Sequence, residues 1–300
     1  MASSPGGDDR ARRPSRRRRP TGGGPAIALL AVLVGLLAPL ERSQAQQRRG
    51  AAVPYAPDAA GELLVGLGGA LEEGSAFPLS GLRGDLARLG TLTVSYSFAP
   101  GAVFRLHGDV LRVLSVERRG ESAVPLEEGV EDGTTHDAGD FRLSTLFRLF
   151  GEPEGLSAGL HLAVKLPNSD ESAGIGLNTT DVFASAFGSW GRGAWRVNGD
   201  LGVGILEAPL EPFVQDDVLT YAGEVLFRPE GWDVRLSAAV EGRANTRQAV
   251  PRGNEDRGRA GLTMELLEGP WRADLGLRHG YARNSPDWSV VAGVARAFRP

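Results

Sequence analysis

The sequence predicts an all-β fold, an antiparallel up-and-down transmembrane β-barrel of about twelve strands behind an N-terminal secretory signal. Three observations carry this reading. Twelve segments alternate apolar and polar residues with a period of two. The connections between them alternate long and short along the chain. A basic stretch, a short apolar run and a small-residue cleavage site open the sequence.

The signal comes first in the chain. Arg10, Arg12, Arg13 and Arg16 to Arg19 precede the apolar run Ala26–Ala38, and Ser43-Gln44-Ala45 follows it. That run spans only about 20 Å as a helix, short of the hydrocarbon core. Residues 1–45 therefore read as a cleaved leader, 46–60 as a short periplasmic segment and 61–300 as the barrel. Cleavage removes eight arginines and only three acids, leaving an acidic chain unsuited to nucleic acid. The chain has no cysteine and four histidines, His107, His136, His161 and His279. Disulfide frameworks and thiolate zinc sites are thereby excluded, and a His-rich metal cluster is disfavoured.

The alternating segments fall near 61–71, 89–98, 102–116, 140–150, 155–166, 180–190, 194–206, 218–228, 232–244, 257–268, 271–281 and 287–298. Each is long enough for a tilted membrane strand of about 9–11 residues. The short connections carry turn residues: 99–101, 151–154, 191–193, 229–231 and 269–270. The others, at 72–88, 117–139, 167–179, 207–217, 245–256 and 282–286, are mostly long and polar. An outer-membrane barrel has this form, with short periplasmic turns, longer external loops and an even strand number.

Closing the short turns pairs like with like. The turn at 99–101 sets Tyr96 against Phe104 and Val94 against Leu106. The turn at 269–270 sets Leu266 against Ala273, Met264 against Leu275 and Leu262 against Leu277. The turn at 151–154 sets Phe147 against Ala158 and Leu143 against Leu162, and the turn at 229–231 sets Phe227 against Trp232 and Leu219 against Val240. Opposite residues share a face, so one face is apolar throughout. The other is polar: Ser95 meets Arg105, Asp140 meets Lys165, Ser144 meets His161 and Glu224 meets Arg235. A membrane barrel turns the apolar face to lipid and the polar face to its lumen. The pore-lining candidates are then Arg105, Arg142, Arg148, His161, Lys165, Arg196, Asp200, Glu224, Arg235 and Arg243. Trp190, Trp195, Phe227, Trp232, Trp271, Tyr281 and Trp288 sit near strand ends, as interfacial girdles require. Arg112 falls in the lipid-facing phase, so that strand either changes face at a bulge or has left the hydrocarbon.

The stretch Gly159–Leu206 resembles the outer-membrane transporter-like family associated with phenol degradation by the meta pathway. The resembling pieces are GLHLAVKLPNSD (159–170), LNTTDVF (177–183) and NGDLGVGIL (198–206), with Gly139–Leu143 similar to the preceding strand start. In that family a strand ends in Lys-Leu-Pro, here Lys165-Leu166-Pro167, and a Thr-Asp segment, here Thr180-Asp181, opens the next. The resemblance implies an exported barrel that passes small, often hydrophobic, molecules. Such barrels usually end on a terminal Phe, whereas here Phe298 is followed by Arg299 and Pro300.

The expected function is passive passage of small solutes through a charge-lined lumen, without enzymatic activity, cofactor or metal. The expected partners are the lipid bilayer of a Gram-negative outer membrane, its barrel-assembly machinery and small-molecule solutes. Two alternatives remain. A lipid hydrolase or deacylase would use His279, the one lipid-facing histidine, with Ser285 in the next loop. A structural or soluble secreted β-protein would have no pore. The glycines of 66–69 and 202–204 lie within strands and do not form phosphate loops. The acidic loop 117–140 matches no calcium-loop spacing.

Overall fold

A computed structural model describes residues 60–299 apart from 131–132, 153 and 211–214. The leader at 1–45 and nearly all of the segment 46–60 lie outside the described residues. The strands are Leu63–Phe77 (β1), Leu82–Ala99 (β2), Ala102–Arg119 (β3), Thr134–Asp137 (β4), Arg142–Gly151 (β5), Gly155–Lys165 (β6), Asp181–Arg192 (β7), Trp195–Glu207 (β8), Gln215–Phe227 (β9), Val234–Asn245 (β10), Arg257–Glu268 (β11), Trp271–Gly280 (β12) and Trp288–Phe298 (β13). All pairings are antiparallel, and β1 pairs with both β2 and β13, so the sheet closes. Twelve strands make the ring. The short β4 continues the wall above β5, pairing with β3 at Arg112–Ser115.

The two faces sort as a lipid-facing barrel requires. Leu67, Leu160, Leu201, Val203, Leu262, Leu275, Leu277 and Val290 are exposed on the outside. Glu72, Asp109, Lys165, Glu224, Arg235, Glu265 and Arg272 are buried on the inside. A protein whose large apolar side chains face out and whose charges face in is stable only with hydrocarbon around it. Aromatic residues mark the two ends of the apolar band. Trp190, Trp195, Trp232 and Phe298 lie toward the end that carries the short turns, and Tyr281 and Trp288 toward the other. Trp195 and Phe227 pack with centroids 4.6 Å apart. The outward Arg296 lies 5.2 Å from the Trp271 ring and 5.0 Å from the Phe298 ring. A guanidinium among aromatic rings at the band edge keeps its charge near the headgroups.

The pairing agrees with the sequence reading where turns are tightest. Tyr96 meets Phe104, Leu266 meets Ala273 and Leu262 meets Leu277. Elsewhere the register shifts by an even number, and the face is kept. Leu143 pairs with Val164 rather than Leu162, and Phe147 with Leu160 rather than Ala158, because the turn closes more widely, at Gly151 and Ser157, and a one-residue bulge between Arg148 and Phe150 leaves a net shift of two. Phe227 pairs with Leu236 rather than Trp232, because the turn is longer and runs over 228–233. Consequently Ser144 lies opposite Ala163, not His161, and Glu224 opposite Ala239, not Arg235. Lys165 lies opposite Arg142, although its ammonium still approaches Asp140 at 3.7 Å.

The largest correction concerns 72–88, expected as a long loop. β1 and β2 run on through it and meet at a short turn over 78–81. Between them Gly90 is an extra residue, with φ of 65°, that shifts β2 against β1 after Gly68. Such a φ strains any residue with a Cβ, so a glycine holds the bulge. The bulge reverses the phase of β2, and Arg88 points inward to Asp109 (2.7 Å) and Glu72 (3.2 Å). Arg112, paired with Arg88, turns inward as well and approaches Asp137 at 3.8 Å. Of the two explanations for Arg112, the change of face is the one realised.

Leu262 is 67% exposed at the middle of β11. Leu262→Arg is expected to destabilise the barrel by about 2–4 kcal/mol, the cost of a cation facing the bilayer midplane. Urea titration of the protein folded into lipid vesicles measures it, and a change within 0.5 kcal/mol would place β11 away from lipid.

Candidate functional site

The inner wall is the candidate site, and its chemistry is set by which charges are paired. In antiparallel pairs opposite residues share a side, so the register can be followed around the ring. One row runs His107–Arg142–Lys165–Asp181, and the next Arg105–Ser144–Ala163–Phe183–Gly204. Below them Val103 lies opposite Leu146, and Arg148–Gly159–Phe187–Asp200 forms a further row. All ten sequence-derived candidates lie on this inner face.

Most of the charges hold each other. Lys165 sits 3.4 Å from Asp181 and 3.7 Å from Asp140, and it donates to the Thr179 hydroxyl at 2.8 Å. Arg235 pairs with Glu265, and Arg259 with Glu241. Asp200 accepts from the Ser185 hydroxyl at 2.8 Å and lies 3.9 Å from His161. Glu224 accepts from the Asn198 amide at 3.2 Å. Buried charges in such a wall persist because partners replace their water. Arg196 lies at the end with the short turns, where it lines a shallow cavity with Arg192, Arg228 and Arg235. The sequence reading missed the Glu72–Arg88–Asp109 cluster, because it placed 72–88 in a loop. It also missed Phe183 and Phe187, aromatic residues in the lumen phase.

Three of the candidate arginines are held by neutral groups, Arg243 by loop carbonyls and the other two within the wall. Arg105 donates to the Ser95 hydroxyl at 3.1 Å. Arg142 lies over the Phe183 ring at 4.4 Å from its centroid. That ring occupies space which a side chain at Gly204 would fill, since a Cβ there would come 2.8 Å from it. Arg142 and its row neighbour His107 remain exposed, although both face inward, so free space adjoins them.

The end with the longer loops is narrowed by those loops. Leu82, Leu86 and Leu114, on the inner side of the β1–β3 extension, bury Val130, Ala173 and Ile175 from two loops. The loop 166–180 carries a single 3-10 turn, Glu171–Ala173, capped by Asp170. The Ser172 hydroxyl and N–H hold the Asp170 carboxyl below the usual carboxylate range. Ser80, in the β1–β2 turn, donates to the Gly174 carbonyl at 2.6 Å, and Thr135 of β4 donates to that of Ala173 at 2.7 Å. Burial pushes the Asp137 carboxyl up, while the Asp170 N–H, donating to it at 2.9 Å, opposes the shift. Arg243 reaches up to the carbonyls of Gly253 (3.0 Å) and Glu255 (3.1 Å) and ties down the loop 246–256.

The residues of the hydrolase alternative are engaged separately. His279 Nδ1 lies 2.7 Å from the Asp287 carbonyl, and its ring packs on Trp288. Ser285 is buried, and its Oγ accepts the Gly258 N–H at 2.8 Å. Among the described residues no group of His, Asp and Glu is placed to hold a metal ion.

No protein-family model matches the chain, and no curated protein matches it in sequence. Solved structures do. An outer-membrane channel from Pseudomonas putida F1 superposes with a TM-score of 0.57 at 13% identity, covering 84% of this chain and 100% of that one. The NanC porin superposes with a TM-score of 0.50 at 9% identity, covering 77% and 98%. Likeness at this identity establishes the barrel fold.

Lys165 is 7% exposed between two carboxylates. Lys165→Met is expected to cost about 3–5 kcal/mol, because Asp181 is left buried, and Asp140 half-buried, without their cation. Adding Asp140→Asn and Asp181→Asn is expected to restore most of that loss. Unfolding titrations of the single and triple variants measure both.

Proposed function

We propose that the protein is an outer-membrane channel for the passive passage of small solutes through its charge-lined lumen. The observation that carries this reading is the inverted barrel with inward-facing yet exposed Arg142 and His107: the wall is apolar outside, charged inside and not filled at their level. A twelve-stranded ring encloses more space than the side-chain-filled eight-stranded barrels. The structures it resembles are, by their names, an outer-membrane channel and a porin. The basic leader over 1–45 supports export, and the acidic remainder argues against a nucleic-acid partner. The resemblance of 159–206 to the transporter-like family associated with phenol degradation supports small, often hydrophobic, cargo. Assembly machinery that inserts outer-membrane barrels is the partner its biogenesis calls for.

Arg105, Arg142, Arg148, Arg196 and Arg243 give the solute path its cations, and anion preference follows. Discrete conductance steps are expected in planar bilayers, with a reversal potential favouring anions. Arg148→Glu combined with Arg196→Glu is expected to move that potential toward cations. A folded, inserted barrel that shows no steps would overturn the channel reading.

A further inference from the structure

We propose that the lumen carries a binding site for a small organic anion, one carboxylate on an apolar ring-sized body, built by Arg105 and Arg142 with Phe183. As a statement about cargo it rests on the channel reading; as a statement about binding it rests on the wall itself.

The argument begins with how the acids are distributed. Most carboxylate oxygens facing this part of the wall are engaged by other groups; Glu241 is paired with Arg259, and the Oδ1 of Asp140 is the exception among the described ones nearby. Asp109 accepts from Arg88 and from the Thr91 hydroxyl, each at 2.7 Å. Asp140 and Asp181 flank Lys165. Asp200 holds the Ser185 hydroxyl. Among the described residues, Arg105 and Arg142 have only neutral close partners, a serine hydroxyl and a phenylalanine ring. They are diagonal neighbours, since Arg105 faces Ser144 and His107 faces Arg142 across the β3–β5 pair. Asp181, Glu241 and Asp140 act on Arg142 through space, but among the described residues no carboxylate is bonded to either guanidinium, so an entering anion gains two charge-assisted partners at once. The Phe183 contact uses one face of the Arg142 plane. Its N–H edge remains suited to a bidentate carboxylate.

The same rows say why the anion carries an apolar body. Phe183 is half-buried, so part of its ring faces the lumen beside Arg142. Directly below, Val103, Leu146 and Phe187 form a buried apolar cluster on the inner wall. An inorganic anion would leave that ring edge against water. A ring-bearing carboxylate places its charge on the two guanidiniums and its body against Phe183.

The test uses the full chain purified from membranes in detergent, with benzoate, acetate and benzyl alcohol as probes. Saturation-transfer NMR and calorimetry report binding without any need for conduction. Benzoate is expected to bind at least about tenfold more tightly than either acetate or benzyl alcohol, because only benzoate satisfies both halves of the site. Arg105→Gln with Arg142→Gln is expected to weaken benzoate at least about tenfold, and Phe183→Ala to remove the preference for benzoate over acetate. Equal affinity for the three probes in the parent protein, a comparison that needs no variant to fold, overturns the site. So does a folded double variant that binds benzoate as the parent does. Benzoate binding in a barrel without conductance would retain the site and remove the channel. Conductance without a preference for benzoate would do the reverse.

Discussion

Closure of the ring is the constraint on which the rest of this molecule depends. In hydrocarbon a backbone N–H or C=O without a partner costs several kcal/mol, and an open sheet has two edges of them. β1 removes both edges by pairing with β2 on one side and β13 on the other. The first and last strands are joined by the same pairing, and Arg299 reaches Glu62 at 2.9 Å beside the seam. The last strand ends on an exposed Phe298, and Arg299 past it serves the seam rather than the lipid face.

Once the ring is closed, the period of two in each strand assigns residues to lipid or lumen, and outside the β1–β3 extension that assignment is legible in the sequence. Register was legible only in part, for a physical reason. Alternation fixes which face a residue takes, but a slip of two or four residues leaves every face unchanged. Turn length must then decide. It did so at the two-residue turn Gly269-Pro270, and at Ala99–Gly101 the expected pairing of Tyr96 with Phe104 holds beyond a small bulge beside the turn. It failed at the Arg148–Phe150 bulge and at the six-residue turn 228–233, and the partners of Leu143, Ser144 and Glu224 moved accordingly.

The stretch 72–88 was illegible for a different reason. It extends past the apolar band, where no lipid enforces alternation, and its polar residues read as loop. A single glycine at Gly90 reverses the phase just below it. Arg88 and Arg112 thus become lumen residues, and Leu82, Leu86 and Leu114 become the inner surface on which the loops rest. Nothing in the pattern of a single strand announces that reversal, because it shows only against the neighbouring strand. Phe183 is hard to read from sequence on similar grounds. An aromatic residue in the lumen phase looks like an exception until its row neighbours, Gly204 on one side and the Arg142 guanidinium above, are known.

The arrangement of charges within the lumen follows from the cost of leaving any one of them alone. Acids and bases that serve the wall are matched in pairs and triads, such as Lys165 with its two aspartates and Arg88 with its two acids. A wall neutralised everywhere in this way would be rigid and without preference for any solute. The inner wall departs from that at Arg105 and Arg142, which are fixed by a hydroxyl and a ring that position a guanidinium without cancelling its charge. Stacking on Phe183 serves this purpose in a way a carboxylate does not, because it restrains the side chain and leaves its hydrogen-bonding edge and its charge available. On the proposed channel reading, selectivity would reside where neutral groups hold cations in place, with the salt bridges around it matching the charges of the rest of the wall.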